Sequence, residues 1–273
     1  VLVLLLGIFI PILFFYWLKI FRKQIMDNIA NWWNQLSDTW KKLFNLYGLH
    51  KGEVTDMPSA NEFEQLLQLK KLEVRQAGIT DLPLAPLQQL THLDCGENPI
   101  TECSELAQCQ NLELLYISDT AISDISALAA LSALQHLSIA NTKVSDVAPI
   151  GTLQQLAFLN ISHTNISQIQ ALANLKHLKT FQATNTPINN IEPLQNCIQL
   201  EDLQLDDTAI TSIAPLAKTY KLTYLGIANT QVTSLQVLQK HKQLALLNCR
   251  DTPIDLLDLE DFRWANPNCA IER

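Results

Sequence analysis

One interval governs this chain from residue 69 onward. Leu72, Leu93, Leu115, Leu137, Leu159, Phe181, Leu203, Leu225 and Leu247 are equivalent positions, separated by one step of 21 residues and then by steps of 22. Three residues before each lies another Leu, from Leu69 to Leu244. Two residues after each comes Val, Ile, Leu, Cys or Ala, and seven after comes Ile or Val. Five after is Thr in seven consecutive units (Thr120, Thr142, Thr164, Thr186, Thr208, Thr230, Thr252), preceded by Asn98 and Ala77. Such a unit cannot bury its apolar face alone, so successive units must stack and both ends need covers.

Within a unit, the alternation around Leu-x-Ile predicts a strand of three to five residues with one side buried. The Thr column can bond backbone groups at the bend that follows. Pro149, Pro193 and Pro215 share a column where a short helical turn can start. Ser59 and Glu62 have capping-box spacing, predicting a helix to about Leu67 that can shield the first unit. The tail, with Phe262, Trp264 and Ile271, is expected to cover the last. The unit LxxLxIxxTxVxxVxxIxxLxx resembles the leucine-rich repeats of the bacterial 22-residue class found in internalins. That resemblance covers about Leu69 to Leu257. It implies an α/β solenoid with one short parallel strand per turn and tight 3₁₀-like or extended convex segments.

The first fifty residues are of another kind. Val1 to Leu18 contain no charge, and eighteen helical residues reach about 27 Å, close to the ~30 Å of a bilayer core. Residues 1–20 are therefore expected to form a transmembrane helix. Tyr16 and Trp17 close the apolar run, and Lys19, Arg22 and Lys23 follow it. Over residues 21–48 apolar residues recur at helical spacing (Phe21, Ile25, Ile29, Trp32/Trp33, Leu36, Trp40, Leu43/Phe44, Tyr47), predicting one amphipathic helix that ends at Gly48 as its C′ residue. Trp17, Trp32, Trp33 and Trp40 would sit in the headgroup zone as a lipid-facing collar. The alternative is that the stripe packs on a partner subunit's helices. Residues 49–58 then form a linker, 59–68 the cap helix, 69–257 nine repeats and 258–273 the C-terminal cap.

Charge divides the chain likewise: residues 1–50 carry +3 and residues 51–273 carry −11. The basic residues after the span predict that the repeats lie on the cytoplasmic side of an inner membrane. An acidic domain argues against nucleic acid. No GxGxxG, GxxxxGK[ST], HExxH or CxxC motif occurs, so no cofactor, metal or small-molecule substrate is expected. Cys95, Cys103, Cys109, Cys197 and Cys249 stand where other units place core hydrophobes, and unpaired core thiols suit a reducing compartment. A Cys103–Cys109 disulfide is the alternative, against the inward direction of both columns.

Function is then sought on the concave face. Leu114, Tyr116 and Phe158 are apolar residues expected to face outward on nearby strands, and Tyr224 with Leu246 makes a second pair. Asp202 and Asp206 add a negative patch suited to a basic segment. His92 and His136 share a column, but Leu114 lies between them, which argues against a shared metal. The expected function is binding, not catalysis: a membrane-anchored scaffold or accessory subunit of a membrane complex, touching lipid through residues 1–48. The internalin resemblance suggests a surface receptor or adhesin instead, although the anchor here is N-terminal and no immunoglobulin-like region follows the repeats. Regulation of an enzyme is a further alternative.

Overall fold

A computed structural model of the chain describes residues 21–273. The transmembrane helix expected over residues 1–20, with Trp17 and Lys19, lies outside the described residues. Among the described residues no helix is long and apolar enough to cross a membrane. The chain divides into two units, Val1–Leu69 and Lys70–Arg273.

The described part of the first unit, from residue 21, is mainly helical. Helix α1 occupies residues 21–35 of the described chain, and α2 spans Asp38–Leu43, running on into a π-helical turn at Phe44–Gly48. The single helix expected over residues 21–48 is thus broken. Ser37 is extended (φ −63°, ψ 158°) and its hydroxyl accepts the Trp40 N–H, so it caps a new helix, with Asp38 in the first turn. The expected lipid-facing stripe is corrected too. Trp33 and Trp40 are 1% and 0% exposed. Trp40 stacks on Phe44 at 5.0 Å, and Trp33 meets Phe63 edge-on at 5.9 Å. These rings form an aromatic core within the unit, where they shed more water contact than at a headgroup layer. Phe21, Ile25 and Tyr47 do remain exposed. Trp32 is half-buried, Arg22 pairs with Glu64, and Lys23 is exposed.

Helix α3 (Ala60–Leu67) begins with the capping box read from sequence. The Ser59 N–H donates to Glu62 Oε2 at 2.7 Å, and the Glu62 N–H donates to Ser59 Oγ at 3.4 Å. Lys51, 2.9 Å away, and the Ser59 N–H together hold the Glu62 carboxyl down at about 2. Gly48 does not serve as a left-handed C′ residue. It allows close approach instead: a Cβ there would lie 2.5 Å from Leu66 Cδ2. The left-handed residue is His50 (φ 57°), and the buried Asn45 amide ties down the following segment by donating to the Val54 and Asp56 carbonyls.

The second unit is a solenoid carrying one parallel sheet in chain order. Its strands are β1 (Lys71–Glu73), β2 (His92–Asp94), β3 (Leu114–Tyr116), β4 (His136–Ser138), β5 (Phe158–Asn160), β6 (Thr180–Gln182), β7 (Asp202–Gln204), β8 (Tyr224–Gly226), β9 (Leu246–Asn248) and β10 (Ala270–Glu272). The central residue of each strand from β1 to β9 is at most 1% exposed. Convex segments from Ser104–Gln108 to Gln236–Lys240 are five-residue 3₁₀ helices, and prolines 149, 193 and 215 open three of them. All seven Thr hydroxyls donate to the carbonyl three residues back, at 2.6 Å for Thr164 and 2.8 Å for Thr120. Asn98 opens this ladder by donating to the Val74, Cys95 and Gly96 carbonyls.

A column the periodicity did not single out lies one residue before the Thr. Gln76, Glu97, Asp119, Asn141, His163, Asn185, Asp207, Asn229 and Asp251 all have φ between 51° and 58°. Asn and Asp dominate it because their short polar side chains tolerate the left-handed region. They also bond one another across repeats, as Asn141 to Asp119 and Asn229 to Asp207, both at 2.7 Å.

The tail differs from expectation in two ways. Helix α4 (Leu256–Ala265) replaces the convex 3₁₀ segment of the last turn, and β10 adds a tenth strand beside β9. Phe262 is buried, but Trp264 is 87% exposed and covers nothing, because it lies on the outward side of α4. Cys95, Cys103, Cys109, Cys197 and Cys249 are buried free thiols, and no Cys103–Cys109 bond is present. Burial pushes the thiols of Cys103, Cys109 and Cys197 up to about 11.

Candidate functional site

Strand register assembles the concave face from two columns. One runs His92, Leu114, His136, Phe158, Thr180, Asp202, Tyr224, Leu246 on neighbouring strands. The other runs Asp94, Tyr116, Ser138, Asn160, Gln182, Gln204, Gly226, Asn248. Leu114, Tyr116, Phe158, Asp202, Tyr224 and Leu246 are each half-buried, as is Asp206 just beyond β7. These residues separate into two clusters.

The first cluster centres on β3 to β5. His136 lies between Leu114 and Phe158 and stacks on the Phe158 ring at 5.9 Å, with the planes 23° apart. Its Nδ1 is buried without a hydrogen-bond partner. A histidine thus completes an otherwise apolar run, a role that its shared column with His92 did not reveal. Beside it is a shallow recess of about 150 Å³, lined by Lys71, Glu73, His92, Asp94, Leu114 and Tyr116.

The second cluster spans β7 to β9. Asp202 Oδ1 accepts the Gln204 amide at 3.1 Å. Asp206 Oδ1 accepts the Ala228 N–H at 2.7 Å and the Asn248 amide at 3.2 Å. Desolvation pushes both carboxyls above the usual Asp range. It also pushes the Tyr224 phenol up, assisted by the Asp206 and Asp202 charges. Among the described residues no Lys or Arg forms an ion pair with either carboxylate. Gly226 is part of this arrangement, since a Cβ there would lie 2.4 Å from Asp206 Oδ2. Asp206 stands in a column otherwise filled mostly by small residues, so its pairing with the one Gly of the neighbouring column was a readable signal that spacing alone did not expose.

This arrangement can bind but brings together no nucleophile, base and orienting group. Stacked 22-residue turns on an all-parallel concave sheet, with outward apolar and acidic side chains, have the architecture of a leucine-rich-repeat solenoid. A family model described as leucine-rich repeats (2 copies) matches residues 88–130 and 110–152. Among solved structures, internalin C2 of Listeria monocytogenes aligns at 25% identity with TM-score 0.72, over 77% of this chain and 91% of that one. A leucine-rich-repeat protein of Leptospira interrogans aligns at 22% identity with TM-score 0.73, over 78% of this chain; the match spans 57% of that protein. The functional domain of the Listeria internalin J, which includes a cysteine ladder, aligns at 22% identity with TM-score 0.58, over 73% of this chain and 48% of that one. A search of curated protein sequences found no match.

Proposed function

We propose that this chain is a non-catalytic module that holds a protein partner on its concave face, tethered to a membrane by residues 1–20 with the repeats on the cytoplasmic side. In that role it serves as a scaffold or accessory subunit of a membrane complex. The observation that carries the binding role is the Leu114–His136–Phe158 run with Tyr116 beside it. Half-exposed rings held on a rigid sheet are the groups that supply most binding energy when a partner desolvates them. Asp202 and Asp206, without a cation of their own, favour a partner segment bearing Lys or Arg two to four strands further on, roughly 10–20 Å away. The five buried free thiols support a reducing compartment.

The test is photo-crosslinking in native membranes. A benzophenone side chain at position 116 should give discrete protein adducts that Phe158→Ala removes, while the same group at the exposed convex position 129 gives none. Identical adducts at both positions, or adducts unaffected by Phe158→Ala, would refute the concave assignment. The internalin likeness favours a second reading, a surface receptor. Thiol labelling separates the two. Cys269 is half-buried and a poor reporter, so Ala129→Cys is the better probe, and its labelling by an impermeant reagent on intact cells would place the repeats outside.

A further inference from the structure

The solenoid has a second surface that the concave site does not use. It lies along the edge where each convex segment turns back toward its strand. In the earlier repeats those two-residue turns carry no charge: Gln110–Asn111, Ser132–Ala133 and Gln154–Gln155. From β6 onward they read Lys176–His177, Ile198–Gln199, Tyr220–Lys221 and Lys242–Gln243, with Lys218 and Lys240 ending the 3₁₀ segments just before the last two. The 22-residue period puts Lys176, Ile198, Tyr220 and Lys242 in one file, at about 5 Å per step.

The apolar members are exposed: Ile198 by 47% and Tyr220 by 48%. Trp264 adjoins the same edge at 87% exposure, because the Lys242 ammonium donates to the carbonyl of its neighbour Ala265. Within the solenoid, exposed large apolar side chains occur only from Ile198 onward. The basic members are exposed too, and Lys176, Lys218, Lys221, Lys240 and Lys242 form no ion pair among the described residues. Lys221 donates to the neutral Gln199 amide oxygen at 2.5 Å. Lys179, by contrast, is paired with Glu201 at 3.5 Å.

We propose that this edge rests on an anionic lipid headgroup layer. Lysines that reach phosphates, beside Ile, Tyr and Trp side chains that enter the interface, match the composition of such a layer. Ile198 and Tyr220 are neighbours in the file, flanked by Lys176, Lys218, Lys221 and Lys242, so a small apolar contact is surrounded by positive charge that calls for an anionic surface. The net negative charge of the chain does not oppose this. Glu97, Asp119, Asp207 and Asp251 follow the strands whereas these lysines precede them, and Glu201, beside the edge, is paired with Lys179. Seated this way, the strands of β6 to β9 point away from the bilayer and the concave face opens sideways, toward a partner in or along the membrane.

The test uses the full chain with lipid nanodiscs of phosphatidylcholine alone or mixed with phosphatidylglycerol, and reads acetylation of each lysine by mass spectrometry. Lys176, Lys218, Lys221, Lys240 and Lys242 should react several-fold more slowly on the anionic discs, and high salt should erase the difference, while Lys143 on the opposite edge is unchanged. Charge reversal at exposed positions (Lys218→Glu with Lys240→Glu) should remove the protection of Lys176 and Lys242 without shifting the Tm. Capture by neutral discs reports the segment before residue 21 and leaves these five lysines unprotected, so that reading and this one fail separately. Equal acetylation rates on both discs would overturn the proposal. Protection by a soluble Glu/Phe peptide but not by anionic discs would overturn it as well, and reassign the edge to an acidic protein segment.

Discussion

His241 occupies a position that other repeats fill with Leu131, Leu153 or Leu175, and it is fully buried. Its Nε2 lies 3.0 Å from the Leu216 carbonyl, while Nδ1 is buried without a partner. Burial lowers its pKa below the ordinary 6.5. The unfolded chain therefore binds a proton that the folded chain resists. The contribution is intact above pH 6.5 and lost as pH falls from there through the lowered folded value. His241→Leu should leave no orphan, because the Thr219 N–H and hydroxyl already donate to the Leu216 carbonyl. The Tm difference between about pH 7.5 and about pH 5.5 should shrink in this variant relative to the parent. An unchanged difference would mean that His241 is protonated without cost. Asp202 and Asp206, whose folded values are raised, act with the opposite sign, gaining stability on acidification, so the comparison must be between chains rather than between pH values.

At the level of strands, Asp206 beyond β7 and Gly226 on β8 are one device. Gly226→Ala would push the Asp206 carboxylate off the Ala228 N–H and the Asn248 amide, at a cost of about 1 kcal/mol. In an Asp206→Ala background the same substitution should cost almost nothing, and a double-mutant cycle by urea unfolding measures that difference. Additive effects would show that the two positions are independent. The elements also show how far the sequence could be read. The Leu and Thr columns fixed strand positions, the bend bonds and the 3₁₀ starts, because burial and backbone bonding repeat with the period. The Ser59–Glu62 cap was legible because both partners lie within one helical turn. The break at Ser37 is masked by a hydrophobic period that runs straight through it, although Ser-Asp is a capping cue. The stripe through Trp33 and Trp40 declares that one face is apolar, not what covers it. Trp264 is the opposite case, since a large ring in a cap need not be a core ring.

Across the solenoid as a whole, order is one-dimensional: each repeat buries its columns only against its neighbours, so opening proceeds locally. The concave clusters were approachable from sequence because register follows from the period, which puts Leu114, His136 and Phe158 side by side. Their energetic content, the ring stack and the cation-free carboxylates, needed side-chain geometry. The basic edge was hidden by the composition, since six lysines of residues 176–242 vanish in a domain of net −11.

The buried thiols give this architecture a built-in set of clocks. Cys95, Cys103 and Cys109 lie near one end of the solenoid, Cys197 lies in its body, and Cys249 lies near the other end. Buried, and with its pKa raised by that burial, each reacts with an alkylating reagent only when its own turn opens. In native buffer Cys197 should be modified last and Cys249 sooner, because fraying begins where a repeat has one neighbour. One synchronous rate for all five would show instead that the solenoid opens as a single cooperative block.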